Sequence, residues 1–172
     1  LKAGTPTMGG LLILAAALAG AGYFAYTKSS PTGEDAAVRS RLSEVAETVS
    51  IKADAGNIAR GLMMEKLPRF FTKDCEIKVS IRAVGSHTLS GRSDIASAAR
   101  YVFEMKGGLE FKFHDMIVTF DEEKKSATVT LTSTLEMTAD NTLSAQEFEF
   151  KLVKEDGVWL IDRAKTVETL TR

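Results

Sequence analysis

Polar and apolar positions along this chain fall into three textures. The first is unbroken: residues 8–26 contain no charged side chain. As a helix this stretch spans about 28 Å at roughly 1.5 Å per residue, close to a hydrocarbon core about 30 Å thick. Tyr23, Phe24 and Tyr26 cluster at its end, where an interfacial aromatic belt lies, and Lys2 and Lys28 bracket it. Glycines at 9, 10, 20 and 22 weaken a soluble helix but are tolerated in a membrane span. Three readings follow: an uncleaved anchor, a signal peptide cut after Ala17-Leu18-Ala19, or a buried core helix. The unbroken run and the aromatic cluster beyond the cleavage position favour the anchor. Residues 1–28 are thus assigned to the anchoring segment, 29–34 to a linker and 35–172 to one domain.

The second texture has helical spacing. Glu34 and Asp35 suit the first turn of a helix, where the dipole favours acids. Val38, Leu42, Val45 and Val49 form one stripe behind them. Gly56-Asn57 starts a second helix carrying Ile58 and Leu62 as far as Pro68, with Phe70 and Phe71 just after. A third opens at Ser93 or Asp94, with Ile95, Ala98, Ala99, Val102 and Phe103 on one face, and ends at Gly107-Gly108.

The third texture alternates with period two, the mark of a half-buried strand. Ile77, Val79, Ile81 and Ala83 make one strand, followed by a turn region over residues 85–91. Residues 109–120 make another and turn through 121–125. Ala127, Val129, Leu131, Leu135 and Met137 alternate with Thr128, Thr130, Thr132 and Thr134, and 139–141 turns again. Phe148, Phe150 and Leu152 continue the sheet to Glu155-Asp156-Gly157, a tight hairpin signal, and Val158 begins the closing strand. Helix, helix, strand, helix and a four-strand meander predict an α+β fold with three helices on a curved antiparallel sheet.

Composition narrows the function classes. The chain carries 22 basic and 23 acidic residues, a net charge of −1. That balance argues against a nucleic-acid binder working by bulk electrostatics, since such domains usually carry a basic stripe. Cys75 is the single cysteine, so an internal disulfide and a cysteine metal cage are both excluded. His87 and His114 are the only histidines, so no metal site is expected, and no cofactor motif appears.

Two stretches resemble known families. KAGTPTMGGLLIL resembles a motif of phospho-N-acetylmuramoyl-pentapeptide transferases, the polytopic enzymes that make lipid I, where it opens a membrane helix. The likeness covers under a tenth of the chain, which has one apolar span where those enzymes need about ten. It also lacks their aspartate- and histidine-rich loops, so no catalytic role carries over. If the motif keeps its usual side, the N-terminus is cytoplasmic and the domain lies outside the cytoplasmic membrane. VGSHTLSGRSDIASAARYVF and EFKLVKEDGVWLIDRAKTV resemble the nuclear transport factor 2-like (SnoaL/ketosteroid isomerase-like) superfamily over residues 36–168. Gly91, a helix near Ile95, and Gly157, Trp159 and Ile161 carry the likeness. It implies a cone-shaped, cystatin-like fold that hosts isomerases, dehydratases and silent binding modules alike. It also implies dimerisation through the sheet, for which the threonine ladder offers a surface.

Catalytic candidates are few. The carboxylate of the related isomerases falls on Arg82 or Val79 here, neither of which can act as a base, and residues 34–67 contain no tyrosine. His114-Asp115 is the most suggestive pair. Apolar phase changes there from Phe111 and Phe113 to Met116, Val118 and Phe120, which implies a bulge able to re-aim side chains. His87 reads as an exposed loop residue, Tyr101 and Glu104 as rim residues, Cys75 as a buried small apolar group and Trp159 as core. Two functions follow from this inventory. One is a tethered, non-catalytic module that binds a protein partner or a small ligand. The other is a small lyase or isomerase using His114 or Asp115 within the cone.

Overall fold

The computed structural model describes residues 33–81, 85–103, 108–137 and 142–167. The apolar segment 8–26, the linker as far as residue 32, Arg82, Glu104 and the turn at 139–141 lie outside the described residues. Among the described residues no helix is long and apolar enough to cross a membrane.

Helix α1 (Glu34–Val49) places Val38, Leu42, Val45 and Val49 on one buried stripe, as its spacing requires. Helix α2 (Asn57–Lys66) starts after Gly56 and runs into a 3₁₀ turn, Leu67–Phe70. Strands β1 (Phe71–Ile81) and β2 (Gly85–Ser90) precede helix α3 (Gly91–Phe103). Strands β3 (Leu109–Phe120), β4 (Ser126–Met137), β5 (Thr142–Glu155) and β6 (Val158–Thr166) then complete one six-stranded sheet in the order β2-β1-β6-β5-β4-β3. The fold is α+β, three helices on a curved sheet.

Four expectations change. The sheet is mixed, because β1 runs parallel to β6 while the meander β3 to β6 is antiparallel. The whole meander separates β1 from β6 in sequence, so no hairpin sets their relative direction and no local pattern announces it. Residues 85–90, expected as a turn, form β2, paired in register with β1 from Glu76↔Ser90 to Ile81↔Gly85. This edge strand is exposed except for half-buried Leu89, so it has no apolar alternation to read. Helix α3 starts two residues early, at Gly91, whose φ of +74° favours glycine; a Cβ there would meet the Lys73 carbonyl at 3.3 Å. Finally, α2 turns Ile58 and Leu62 outward and rests on the core through half-buried Met63 and Met64.

Other expectations hold. The β5–β6 hairpin turns at Asp156 and Gly157, both with positive φ (+49° and +82°), as the tight Asp-Gly turn demands. The β3–β4 register slips between His114 and Ile117, and Asp115 sits at φ +51°. The phase change in the sequence is therefore a real bulge. Trp159 and Cys75 are buried. Val38, Leu42, Phe70, Val79, Ile95, Phe111, Phe148, Phe150 and Ile161 join them in a single core cluster between helices and sheet.

Candidate functional site

Acid–base chemistry and the interior occupy different places in this structure. His114 and Asp115 are both exposed. The bulge turns His114 so that its Nε2 lies 2.9 Å from Thr134 Oγ1 on the neighbouring strand. The carbonyl of Met116, in the same bulge, accepts a 2.8 Å hydrogen bond from Arg39 of α1, whose Nε also meets Asp35 at 2.8 Å. The irregular strand is thereby tied to the helix. Of the two positions aligned with the isomerase carboxylate, Val79 is buried among apolar neighbours. His87 is exposed on edge strand β2, not in a loop, and Tyr101 is partly exposed on α3 as expected. The threonine ladder divides. Thr128 and Thr130 are exposed, Thr132 is buried and Thr134 is taken by His114.

Inside, the sheet presents aromatic rings to the helices. Phe113 meets Phe111 and Phe150 edge-on, at centroid distances of 6.0 and 5.7 Å. Ser133 Oγ is the exception on this inner face: it is fully buried and has no hydrogen-bond partner.

A cleft of about 710 Å³ lies where α1 ends. Its construction follows from local sequence. Ser50 stops α1: its hydroxyl donates to the Ala46 carbonyl at 2.8 Å and accepts the Phe111 N–H at 2.9 Å. The chain then pairs with β3, Ile51 N–H to Leu109 O at 2.7 Å and Leu109 N–H to Ile51 O at 2.8 Å. After Gly56, which is extended, the chain enters α2. The floor is Ile51, Leu109 and Phe111, and the α2 wall is Ala59 and Met63. Glu47, Lys52, Asp54 and Lys112 stand exposed at the rim, with Lys112 Nζ held 2.9 Å from Glu110. Such a cleft has the size and lining of a small-molecule or peptide site. None of the catalytic candidates named from the sequence lines it. Its residues were readable as helix, loop and strand, but the cleft arises only when the 51–55 loop pairs with β3.

The opposite end of α1 is closed by charge. Glu34 accepts Lys154 Nζ at 2.5 Å and Trp159 Nε1 at 2.9 Å. These two bonds, the lysine's first, hold its carboxyl below the usual carboxylate range. Arg41 adds a 2.7 Å bond to the Trp159 carbonyl. At the β3–β4 turn, Asp121 is held low by accepting the Ser126 and Lys125 N–H groups. Burial pushes the Cys75 thiol up, which disfavours its thiolate form.

Known proteins place the domain. The SnoaL-like domain model matches residues 40–165, and signature 1 of phospho-N-acetylmuramoyl-pentapeptide-transferase matches residues 2–14. No curated protein matches the chain. Among solved structures, a putative scytalone dehydratase from Novosphingobium aromaticivorans superposes with a TM-score of 0.57 at 15% identity, over 80% of this chain and 85% of that one. Aln2 from a Streptomyces species gives 0.61 at 14%, over 81% and 94%. A cystatin-like protein of unknown function from Nostoc punctiforme gives 0.60 at 11%, over 80% and 93%. At these identities the likeness is one of fold.

Proposed function

From the premise that this chain belongs to the SnoaL-like domain family, we propose that it is a membrane-tethered, non-catalytic module of the cytoplasmic membrane's outer side. Residues 8–26 anchor it, and the cleft beside α2 takes an apolar ligand or an apolar peptide segment of a partner. The observation that carries this reading is a separation. The cleft is walled by Ile51, Ala59, Met63, Leu109 and Phe111, whereas His114 and Asp115 sit exposed on the sheet. A general acid or base works within hydrogen-bond reach of its substrate, and neither residue lines the cleft.

The rival reading, a lyase or isomerase, draws support from the enzyme named among the neighbours, the putative dehydratase, and from the orphan hydroxyl of Ser133 on the inner face. A homodimer through the sheet remains part of the proposal on the strength of exposed Thr128 and Thr130.

Two measurements on the full chain test the proposal. Carbonate extraction should leave it in the membrane pellet; recovery in the supernatant, with a mature N-terminus at Gly20, would replace the anchor by a signal peptide. Methyl NMR of the chain in nanodiscs, titrated with an apolar extract of host cells, should shift Met63, Ile51 and Leu109. Shifts centred on Leu131 and Leu135, which flank Ser133, would favour the enzyme reading.

A further inference from the structure

The outer face of α2 is apolar and uncovered. Ile58 is 83% exposed and Leu62 63%; four residues apart, they share one side of the helix. The charge around them differs from the rest of the domain. Residues 52–74 hold five basic side chains (Lys52, Arg60, Lys66, Arg69 and Lys73) against three acidic ones. Residues 33–51 and 75–172 together hold fifteen basic and twenty acidic. Arg69 is paired with Glu65, while Lys52, Lys66 and Lys73 are exposed. Arg60 and Lys66 stand on α2 itself with Ile58 and Leu62, so the segment that carries the apolar face is net basic on an otherwise acidic domain.

Its position suits the tether. The Arg41 guanidinium and the Lys66 ammonium both lie over the Phe70 ring, 4.6 and 5.5 Å from its centroid. The last turn of α2 therefore lies beside the middle of α1, and Leu62 is on the order of 20 Å from where α1 begins. The seven residues that follow Tyr26, as far as Gly33, reach at most about 25 Å when extended. A bilayer holding residues 8–26 can then meet this face.

The geometry points to α2 as a docking face for an anionic lipid surface. Ile58 and Leu62 enter the headgroup boundary, and the neighbouring lysines meet lipid phosphates. The inference rests on the tether and not on the cleft, which α2 lines with Ala59 and Met63 and not with Ile58 or Leu62.

The test is amide hydrogen exchange across residues 57–66 in the full chain. It is reconstituted into phosphatidylcholine vesicles with and without phosphatidylglycerol. The expected result is slower exchange only where phosphatidylglycerol is present, reversed by high salt. Slowing should be lost in Ile58→Ser/Leu62→Ser and in Lys66→Glu, all at exposed positions that spare the fold, while each variant still floats with the vesicles. Wild type that floats but exchanges equally in both vesicles overturns the docking face and leaves the tether intact. Wild type that fails to float overturns the tether and the docking face with it. Slowing that appears in detergent and grows with protein concentration assigns the face to self-association, and likewise overturns lipid docking.

Discussion

Helices α1 and α2 carry similar apolar spacing and meet opposite fates. In α1 the stripe from Val38 to Val49 is buried against the sheet, and both ends are fastened. Glu34 binds Lys154 and Trp159 at one end, and Ser50 binds Ala46 and Phe111 at the other. In α2 no residue is fully buried; Met63 and Met64 half-fill the gap below, while Ile58 and Leu62 face outward. The lesson is that periodicity predicts a helix, but the partner surface decides whether its apolar face is core or interface. A deep apolar sheet face awaited α1. α2 instead packs on the 3₁₀ turn and on α3 and not on the sheet, which leaves the cleft beside Ala59 and Met63 and an open surface at Ile58 and Leu62.

Breaking the well-packed helix's attachment should have the largest effect. Trp159→Ala empties a buried ring site and strips Glu34 of a donor, so denaturant melts should show a loss of about 3–5 kcal/mol. A loss below about 1 kcal/mol would place the ring outside the core. Next comes the direct pairing of the two helices. Leu42→Ala should cost about 2–5 kcal/mol, whereas Leu62→Ala should stay within about 0.5 kcal/mol, as surface substitutions do. Equal costs would mean that α2 is as firmly packed as α1.

The smallest effect is electrostatic. Glu34 has a lowered pKa in the folded state. Its contribution is therefore full above the unfolded carboxylate's pKa and is lost as pH falls through the folded one. In Glu34→Gln, melting temperature should fall at neutral pH and decline less steeply on acidification, so that the two curves converge at low pH. Parallel curves would show that the carboxylate does not fasten α1.

Much of this comparison was legible in the sequence, and its limits have physical causes. The Val38 to Val49 stripe, the Asp156-Gly157 hairpin and the bulge after His114 each leave a local mark, because burial, positive φ and side-chain phase act on neighbouring residues. β2 left none, since Gly85-Ser86-His87-Thr88 pairs through its backbone at an edge. The parallel contact of β1 with β6 and the pairing of Ile51 with Leu109 join distant segments, so neither could be read from a window of sequence. The cleft depends on that second pairing. Sequence reading instead singled out His114 and Asp115, whose phase change marks irregular backbone without bringing them to a cavity.

The account's central claim is that the working surface lies at the cleft beside α2 and not at the bulge. Complementation of a deletion strain by full-length variants with unchanged melting curves tests it most directly. Ala59→Trp, which fills the cleft from an exposed position on its wall, should abolish function, while His114→Ala and Asp115→Asn should restore growth fully. Because acid–base groups contribute about 10²–10⁴-fold in rate, the opposite pattern would be equally clear: function retained by Ala59→Trp and lost in either bulge variant would contradict the claim.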